Sequence, residues 1–379
     1  MRKSKEKLFT LISTLPPLVG ISSYTVGLLK ELDKMESGEV FSFRKLYPSF
    51  LFPGEQYDYS SQIPEFRNID VYRIIDWCNP VTWILPALKM ESGILHLQWW
   101  SPATGQVYLP LIAAARVRKK RIVITVHNVM PHEGNPLYKV IWKMITGKGD
   151  AYIVHSEKNR EELLNLFPEI IEKPVEIIHH GIEVRRRIDR KEARKTLRLP
   201  ESSMIVLFFG TVRKYKGLDL LIRAFSKVRG DLFLLVAGKP WIEVEEFRQL
   251  AEKVGVTERV RFDFRLIPEK EVVYYFSAAD LVVLPYLWFS SQSGVASLAV
   301  GYGIPLIVSN AGGLVDFAHP EAVFETGDEE ELAGLLQRFY DDESYRRQLQ
   351  RDVEKKREMF SYHRAAEKTV KFYQRLMKL

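Results

Sequence analysis

Short apolar runs alternate along this chain with longer stretches in which apolar positions recur every three or four residues. The short runs read as buried strands and the periodic stretches as helices packed on them. In the first half the strands fall at Leu8 to Ser13, Ile94 to Trp100, Ile122 to Val126 and Ala151 to Val154. In the second they fall at Ile205 to Phe209, Leu232 to Ala237, Val260 to Phe264, Leu281 to Pro285 and Leu306 to Ser309. Helices are expected over Ile21 to Leu32, Val107 to Val117, Tyr138 to Lys148, Glu157 to Leu166, Gly217 to Phe225, Ile242 to Val254 and Pro268 to Ala279, with a last amphipathic helix over Ser361 to Leu379. Ser22 or Ser23 is expected to cap the first helix and Ser156 the one from Glu157. Residues 44–66 hold Pro48, Pro53, Gly54 and Pro64 among aromatics and read as an irregular insertion. Strands alternating with helices make parallel sheets covered on both faces, so the fold class is α/β. At 379 residues the chain is too long for one ordinary core, which gives two doubly wound, Rossmann-like domains facing a central cleft.

The candidate chemistry lies where strands end. Phe208-Phe209 runs into Gly210, then the basic loop Arg213-Lys214-Tyr215-Lys216, then Gly217 and a helix. A strand, glycine, basic loop and helix N-terminus form an anion site: backbone N–H groups and the helix dipole point at the ligand, and Arg213 and Lys216 add full charges. A solvated basic turn is the alternative. Both cationic side chains are expected to face solvent without ligand. Ser293, Gly294 and Val295 open another helix, whose free N–H groups also suit phosphate, with Gln292 beside them as a hydrogen-bonding side chain. Gly20 ends the loop Pro16-Pro17-Leu18-Val19-Gly20 and by itself reads as a turn glycine.

His127 follows a parallel strand and so sits at the ligand edge of its sheet. His127, His132 and Glu133 could form a metal site, but their spacing is that of a loop and not of a helical His-x-x-x-His pair, so no metal is expected. No Gly-x-Ser-x-Gly elbow occurs to support a serine triad. Trp99 and Trp100 end their strand and are expected to be exposed, either for stacking on sugar or for packing.

Composition narrows the class. Hydrophobic residues make up 46% and charged residues 27%, and the formal net charge is +7. No apolar run approaches the roughly 20 residues that span a bilayer. The single cysteine, Cys78, cannot form an internal disulfide and fits a reducing cytoplasm. Arg116, Arg118, Lys119, Lys120 and Arg121, with the Lys139–Lys148 stretch and its Trp142, suggest a basic-aromatic surface for an anionic membrane, or else a helix C-terminus with favourable cations. The cations are scattered and no nucleic-acid recognition fold appears.

With Gly210-x-x-Arg213-x-x-Lys216-Gly217, Ala278-Ala279-Asp280, Gly303-Ile304-Pro305 and Gly312-Gly313 in this order, nearly the whole chain resembles the retaining GT-B glycosyltransferases of family 4. The resemblance implies an acceptor-side domain at 1–182, a nucleotide-sugar domain at 183–360 with a hinge at Gly181, and a helix at 361–379 crossing back to the first domain. It implies transfer of a sugar from a nucleotide diphosphate sugar, with retention and without metal or other cofactor, to a glycan or lipid-linked acceptor hydroxyl. Arg213 and Lys216 would neutralise the diphosphate, His127 would approach the transferred sugar, and Gly20, Gly210, Gln292, Ser293, Gly294 and Val295 would bind the donor. The implied location is cytoplasmic, peripheral to the inner membrane face where the acceptor is lipid-linked. One departure stands out. The two glutamates that the family carries eight positions apart fall at Ser290 and Leu298, so both carboxylates are missing. That loss leaves open a degenerate protein that binds sugar without turnover, or a GT-B epimerase.

Overall fold

The computed structural model describes residues 6–46, 48, 56–59, 62–127, 129, 136–289 and 293–378, with 136–139 described as backbone only. The chain divides into two compact units, Met1–Gly181 with Tyr362–Leu379, and Ile182–Ser361.

The first unit is built on a seven-stranded parallel sheet. Its strands are β1 (Phe9–Ser13), β2 (Gly38–Lys45), β3 (Ile69–Asp76), β4 (Ile94–Trp99), β5 (Arg121–Val126), β6 (Ala151–Val154) and β7 (Val175–Ile177), in the order β3-β2-β1-β4-β5-β6-β7. Helices α1 (Ser22–Met35), α2 (Val81–Lys89), α3 (Gly105–Val117), α4 (Pro136–Thr146) and α5 (Glu157–Leu166) connect them, and the C-terminal helix Tyr362–Leu376 joins the same unit. One face of the sheet packs Phe9, Leu11, Val123 and Ile153 with Leu28 and Leu32 of α1 and Phe372 and Tyr373 of the C-terminal helix. The other face packs Ile12, Leu95, Leu97, Ile122 and Ile124 with Val107, Leu111 and Trp142.

The second unit carries six parallel strands, β8 (Met204–Phe209), β9 (Leu232–Ala237), β10 (Val260–Asp263), β11 (Leu281–Leu284), β12 (Leu306–Ser309) and β13 (Val323–Phe324), ordered β10-β9-β8-β11-β12-β13. Its helices are α6 (Arg190–Thr196), α7 (Leu218–Lys227), α8 (Glu245–Lys253), α9 (Glu269–Ala278), α10 (Gly294–Tyr302), α11 (Glu329–Asp341) and α12 (Glu343–Met359). Asp280, at the entry to β11, has a structural task here. Its Oδ2 accepts from the Ile205 N–H at 2.7 Å and from the guanidinium of Arg194, which is buried and also donates to the carbonyls of Ala278, Glu201 and Ser203. A buried cation is tolerated only with such complete pairing.

Several expectations need correction. Strands β2 and β3, which the sequence did not predict, enter or flank the region read as irregular, and helix α2 follows β3. In β2 the polar Glu39 hides the strand pattern, because it is buried, paired with Lys7 and accepting from the Thr10 hydroxyl. Ser22 and Ser23 lie inside α1, whose N-cap position is Ile21 without a side-chain cap; the Ser22 hydroxyl turns back to the Val19 carbonyl at 3.4 Å. Ser156 does cap α5, its Oγ accepting from the Asn159 N–H at 3.1 Å. Trp99 is buried, edge-on to Trp142, and only Trp100 beyond the strand end is half-exposed. Trp142 itself is buried and stacked on Phe167 at 4.5 Å, so it is part of the core and not of a surface.

Candidate functional site

In an open parallel sheet ligands bind beyond the carboxyl ends of the strands where the strand order reverses. The reversal lies between β8 and β11 in the second unit and between β1 and β4 in the first. Both places carry residues singled out from the sequence.

In the second unit β8 ends at Gly210, whose φ of +100° disfavours other residues. A short 3₁₀ turn, Lys214–Lys216, leads to Gly217 at φ +64°, which forms the N-cap position of α7. A Cβ on Gly217 would stand 2.1 Å from the Pro285 carbonyl oxygen. The basic loop can therefore dock on the loop after β11 only through glycine, and Leu287 N–H donates to the Tyr215 carbonyl at 2.6 Å to complete that contact.

This docking buries Lys216, against the expectation that it faces solvent. It is only 6% exposed. Its Nζ lies 5.3 Å from the centre of the Tyr286 ring and would meet a Cβ on Gly210 at 3.3 Å. No described carboxylate pairs with it. Burial, helped by the neighbouring charge of Arg213, lowers its pKa to about 8. Arg213 is half-buried, with its guanidinium 3.8 Å from the centre of the Trp241 ring and its Nε buried without a hydrogen-bond partner. Two cations held close together in a partly desolvated place, with no described anion between them, form a site that gains from an anionic ligand.

Val295 comes to the same place, its Cγ2 3.0 Å from a Cβ built on Gly210. Ser293 caps α10, its buried Oγ accepting from the Ala296 N–H at 3.2 Å while its carbonyl accepts from Ser297 N–H. The N–H groups of Gly294 and Val295, also in the first turn, have no partner among the described residues. The structure thus brings Gly210, Arg213, Lys216, Ser293, Gly294 and Val295 together. Gln292 and Ser290 lie outside the described residues. Leu298 is partly buried and packs against the core of this unit, so an apolar contact occupies the position of the second family glutamate.

In the first unit Gly20, at φ +86°, lies beside Trp100: a Cβ there would be 3.9 Å from its Nε1. His127 extends the β4–β5 ladder by donating its N–H to the Trp99 carbonyl at 2.9 Å. Both nitrogens of its ring have protein partners, Nε2 at 2.6 Å from Gln98 and Nδ1 at 3.1 Å from His155. Tyr24 stands edge-on to the ring at 4.8 Å, and His180 lies 5.3 Å from the ring of His155. Burial holds these imidazoles neutral: His96 and His155 are lowered to about 3, His180 to about 4, and His127 well below its ordinary value. His132 and Glu133 lie outside the described residues. Among the described residues no three His, Cys, Asp or Glu side chains are grouped to hold a metal.

Trp241, Tyr286, Gln98 and His155 were missed by the sequence reading. Trp241 has no periodicity to mark it. Gln98 and His155 do carry a signal, since each lies at the end of a parallel strand two residues from another polar position.

Two parallel doubly wound sheets, each with its candidate residues at the reversal of strand order, define a GT-B protein. The description "Glycosyltransferase Family 4" matches residues 20–186 and "Glycosyl transferases group 1" matches residues 189–356. The chain belongs to this family of glycosyltransferases. Among solved structures it is similar to sucrose-phosphate synthase from Thermosynechococcus elongatus, with 20% identity, a TM-score of 0.65 and coverage of 98% of this chain and 99% of that one. It is also similar to HepE from Anabaena in complex with UDP, with 15% identity, a TM-score of 0.67 and coverage of 98% and 100%. A D-inositol 3-phosphate glycosyltransferase of Mycobacterium sp. (strain KMS) is 29% identical over 235 residues, 58% of this chain and 52% of that protein. The chain spans about half the length of that relative.

Proposed function

We propose that this protein transfers a sugar, with retention of configuration, from a nucleotide diphosphate sugar to an acceptor hydroxyl on a glycan or a lipid-linked molecule. The observation that carries this reading is the buried, carboxylate-free ammonium of Lys216 beside Arg213, Gly210 and the open first turn of α10. In the reaction the bond from the anomeric carbon to the diphosphate oxygen breaks and its electron pair leaves with the diphosphate. Arg213, Lys216 and the N–H groups of Gly294 and Val295 stabilise that developing charge. The acceptor oxygen bonds to the same face of the sugar, and its proton passes to an oxygen of the departing diphosphate. His127 and Gly20 take the transferred sugar. UDP, bound in the HepE structure, is the first nucleotide to test.

Leu298 favours a second reading, a protein that binds donor without turnover, because its side chain supplies packing where the family has a carboxylate. Incubation with a panel of radiolabelled nucleotide sugars separates the two. Transfer or slow hydrolysis of one donor supports the enzyme; saturable binding with no product from any donor supports the binding protein.

Because cationic side chains neutralise the diphosphate, activity is expected to survive excess chelator. Loss of turnover in chelator, restored by manganese or magnesium, would overturn the metal-independent part of the proposal.

For a membrane-linked acceptor the basic surface needs redrawing. Arg116 pairs with Asp150 at 2.8 Å, Arg118 donates to the carbonyls of Ala87, Leu88 and Met90, and Lys120 donates to the Ser92 carbonyl. Lys119, Arg121, Lys143 and Lys148 are exposed, with apolar Val117, Val140 and Met144 also exposed. Each cation near an anionic leaflet contributes about 1 kcal/mol, screened within roughly 8 Å at physiological salt. The protein is expected to float with anionic vesicles at low salt and to leave them at high salt. The Lys119→Glu, Lys143→Glu double variant should lose that binding, and equal flotation of both proteins would remove this surface from the proposal. No described helix is long and apolar enough to cross a membrane.

A further inference from the structure

We infer that Gln98 is a positioning residue for His127, the middle link of a one-directional hydrogen-bond relay that runs from Tyr373 to the Ile178 carbonyl and fixes His127 with its proton on Nδ1. The inference rests on the role proposed above for His127, and its first test does not depend on that role.

The register of the sheet sets the relay. His96 and Gln98 lie two apart on β4, Thr125 and His127 two apart along β5 and its extension, and His155 just beyond β6. Gln98 pairs with Thr125, and Thr125 with Ile153, so all five side chains share one sheet face. Their contacts form a continuous series. Tyr373 Oη is 2.5 Å from His96 Nδ1, and His96 Nε2 is 2.7 Å from Thr125 Oγ1 and 3.4 Å from Gln98 Nε2. The other end of that amide, placed as Oε1, is 2.6 Å from His127 Nε2. His127 Nδ1 is 3.1 Å from His155 Nε2, and His155 Nδ1 is 2.8 Å from the Ile178 carbonyl.

Counting protons from the fixed end leaves one arrangement. The Ile178 carbonyl can only accept, so His155 carries its proton on Nδ1 and offers a lone pair at Nε2. His127 must then donate from Nδ1, which leaves a lone pair on its own Nε2. That lone pair needs a donor, so the proton count turns the Gln98 amide end for end from its placement here, with NH₂ toward His127 and oxygen toward His96; the O and N of an amide are assigned from just such a network. His96 meets that oxygen and Thr125 Oγ1 with an Nε2 proton, and its Nδ1 accepts from the Tyr373 hydroxyl. Each ring nitrogen then meets a partner of the opposite kind, and every imidazole is neutral. The relay leaves His127 Nε2 able only to accept. Toward a sugar hydroxyl it is an acceptor, displacing or sharing the Gln98 donor, and it is not a proton donor to the reaction.

The test is long-range ¹H–¹⁵N correlation of the imidazole rings in histidine-labelled full-length protein near pH 7.5, with His127 assigned by its absence in His127→Asn. We expect a protonated Nδ1 and a bare Nε2 for His127 and His155, and the reverse tautomer for His96. A protonated Nε2 on His127, or a mixture of tautomers, would overturn the relay. Gln98→Glu places a group there that only accepts, and should put a proton on His127 Nε2; an unchanged Nε2 would count equally against the proposal. Where donor turnover is measurable, Gln98→Leu should lower kcat about 10-fold or more with KM for the donor within about 2-fold, the pattern of a displaced contact group. Unchanged kcat with only a lowered melting temperature would reduce Gln98 to a structural residue. Failure of every nucleotide sugar to react would sink the proposed function and leave the tautomer result standing.

Discussion

Replacing Lys216 with methionine is expected to lower kcat by about 10²–10³ and at the same time to make the free protein more stable. The loss is that of one charge-stabilising group aimed at a leaving diphosphate. The gain follows from burial. The Lys216 pKa falls from its ordinary 10.5 to about 8 in the folded protein, chiefly through desolvation. A lysine lowered on folding favours the neutral form in the fold, so its contribution to stability is lost as pH falls from about 10.5 through about 8, and at pH 7 the full cost is present. Methionine fills the space against Tyr286 without that cost and should raise unfolding free energy by about 1–3 kcal/mol at pH 7. Equilibrium denaturation and steady-state kinetics on the same variant check both halves. Wild-type turnover, or a clear loss of stability, would remove Lys216 from the proposed phosphate clamp. The same shift implies that donor affinity weakens as pH rises through about 8, since only the ammonium pairs with diphosphate. Arg213→Ala should show a comparable loss of turnover and keep that pH dependence, moved to higher pH because the neighbouring cation is gone, whereas Lys216→Met should lose it.

Acid is expected to destabilise the first unit well above the carboxylate range. His96 and His155, lowered to about 3, and His180, lowered to about 4, are neutral in the folded protein, as is His127. The unfolded chain protonates them near 6.5, so between that value and the folded ones it binds more protons and the fold weakens as pH falls. At pH 5 each group fully held neutral costs about 2 kcal/mol, and the four together several kcal/mol. Denaturant midpoints should therefore fall clearly from pH 7.5 to pH 5. His180→Gln, at the edge of the group, should reduce that fall by about a quarter. Equal midpoints at the two pH values would show that the imidazoles titrate normally and are not held in a dry network. The two units need separate probes, because a two-domain chain need not unfold in one step.

The sequence by itself determined much of this protein. Short apolar runs placed β5, β6, β8, β9, β11 and β12 within a residue or so, because strands buried on both faces are largely apolar and end abruptly, and β4 was placed as well although His96 and Gln98 interrupt its apolar positions. It also determined that Arg213 and Lys216 follow Gly210 at a strand end, since that order of residues is local. It did not show β2, where buried Glu39 breaks the apolar pattern and is tolerated through Lys7, Thr10 and the Glu91 N–H from other parts of the chain. Nor did it show whether a cation or an aromatic ring faces solvent. Lys216 is buried because Gly217 lets its loop press on Pro285, some 70 residues away, and Trp142 is buried because Phe167 stacks on it. The relay from Tyr373 through Gln98 to His155 depends most on tertiary structure, as it joins β4, β5, the end of β6 and the C-terminal helix. Spacing along a chain reports which face of an element a residue occupies; only the packing of elements decides which polar atoms meet, and hence which protons and charges each can keep.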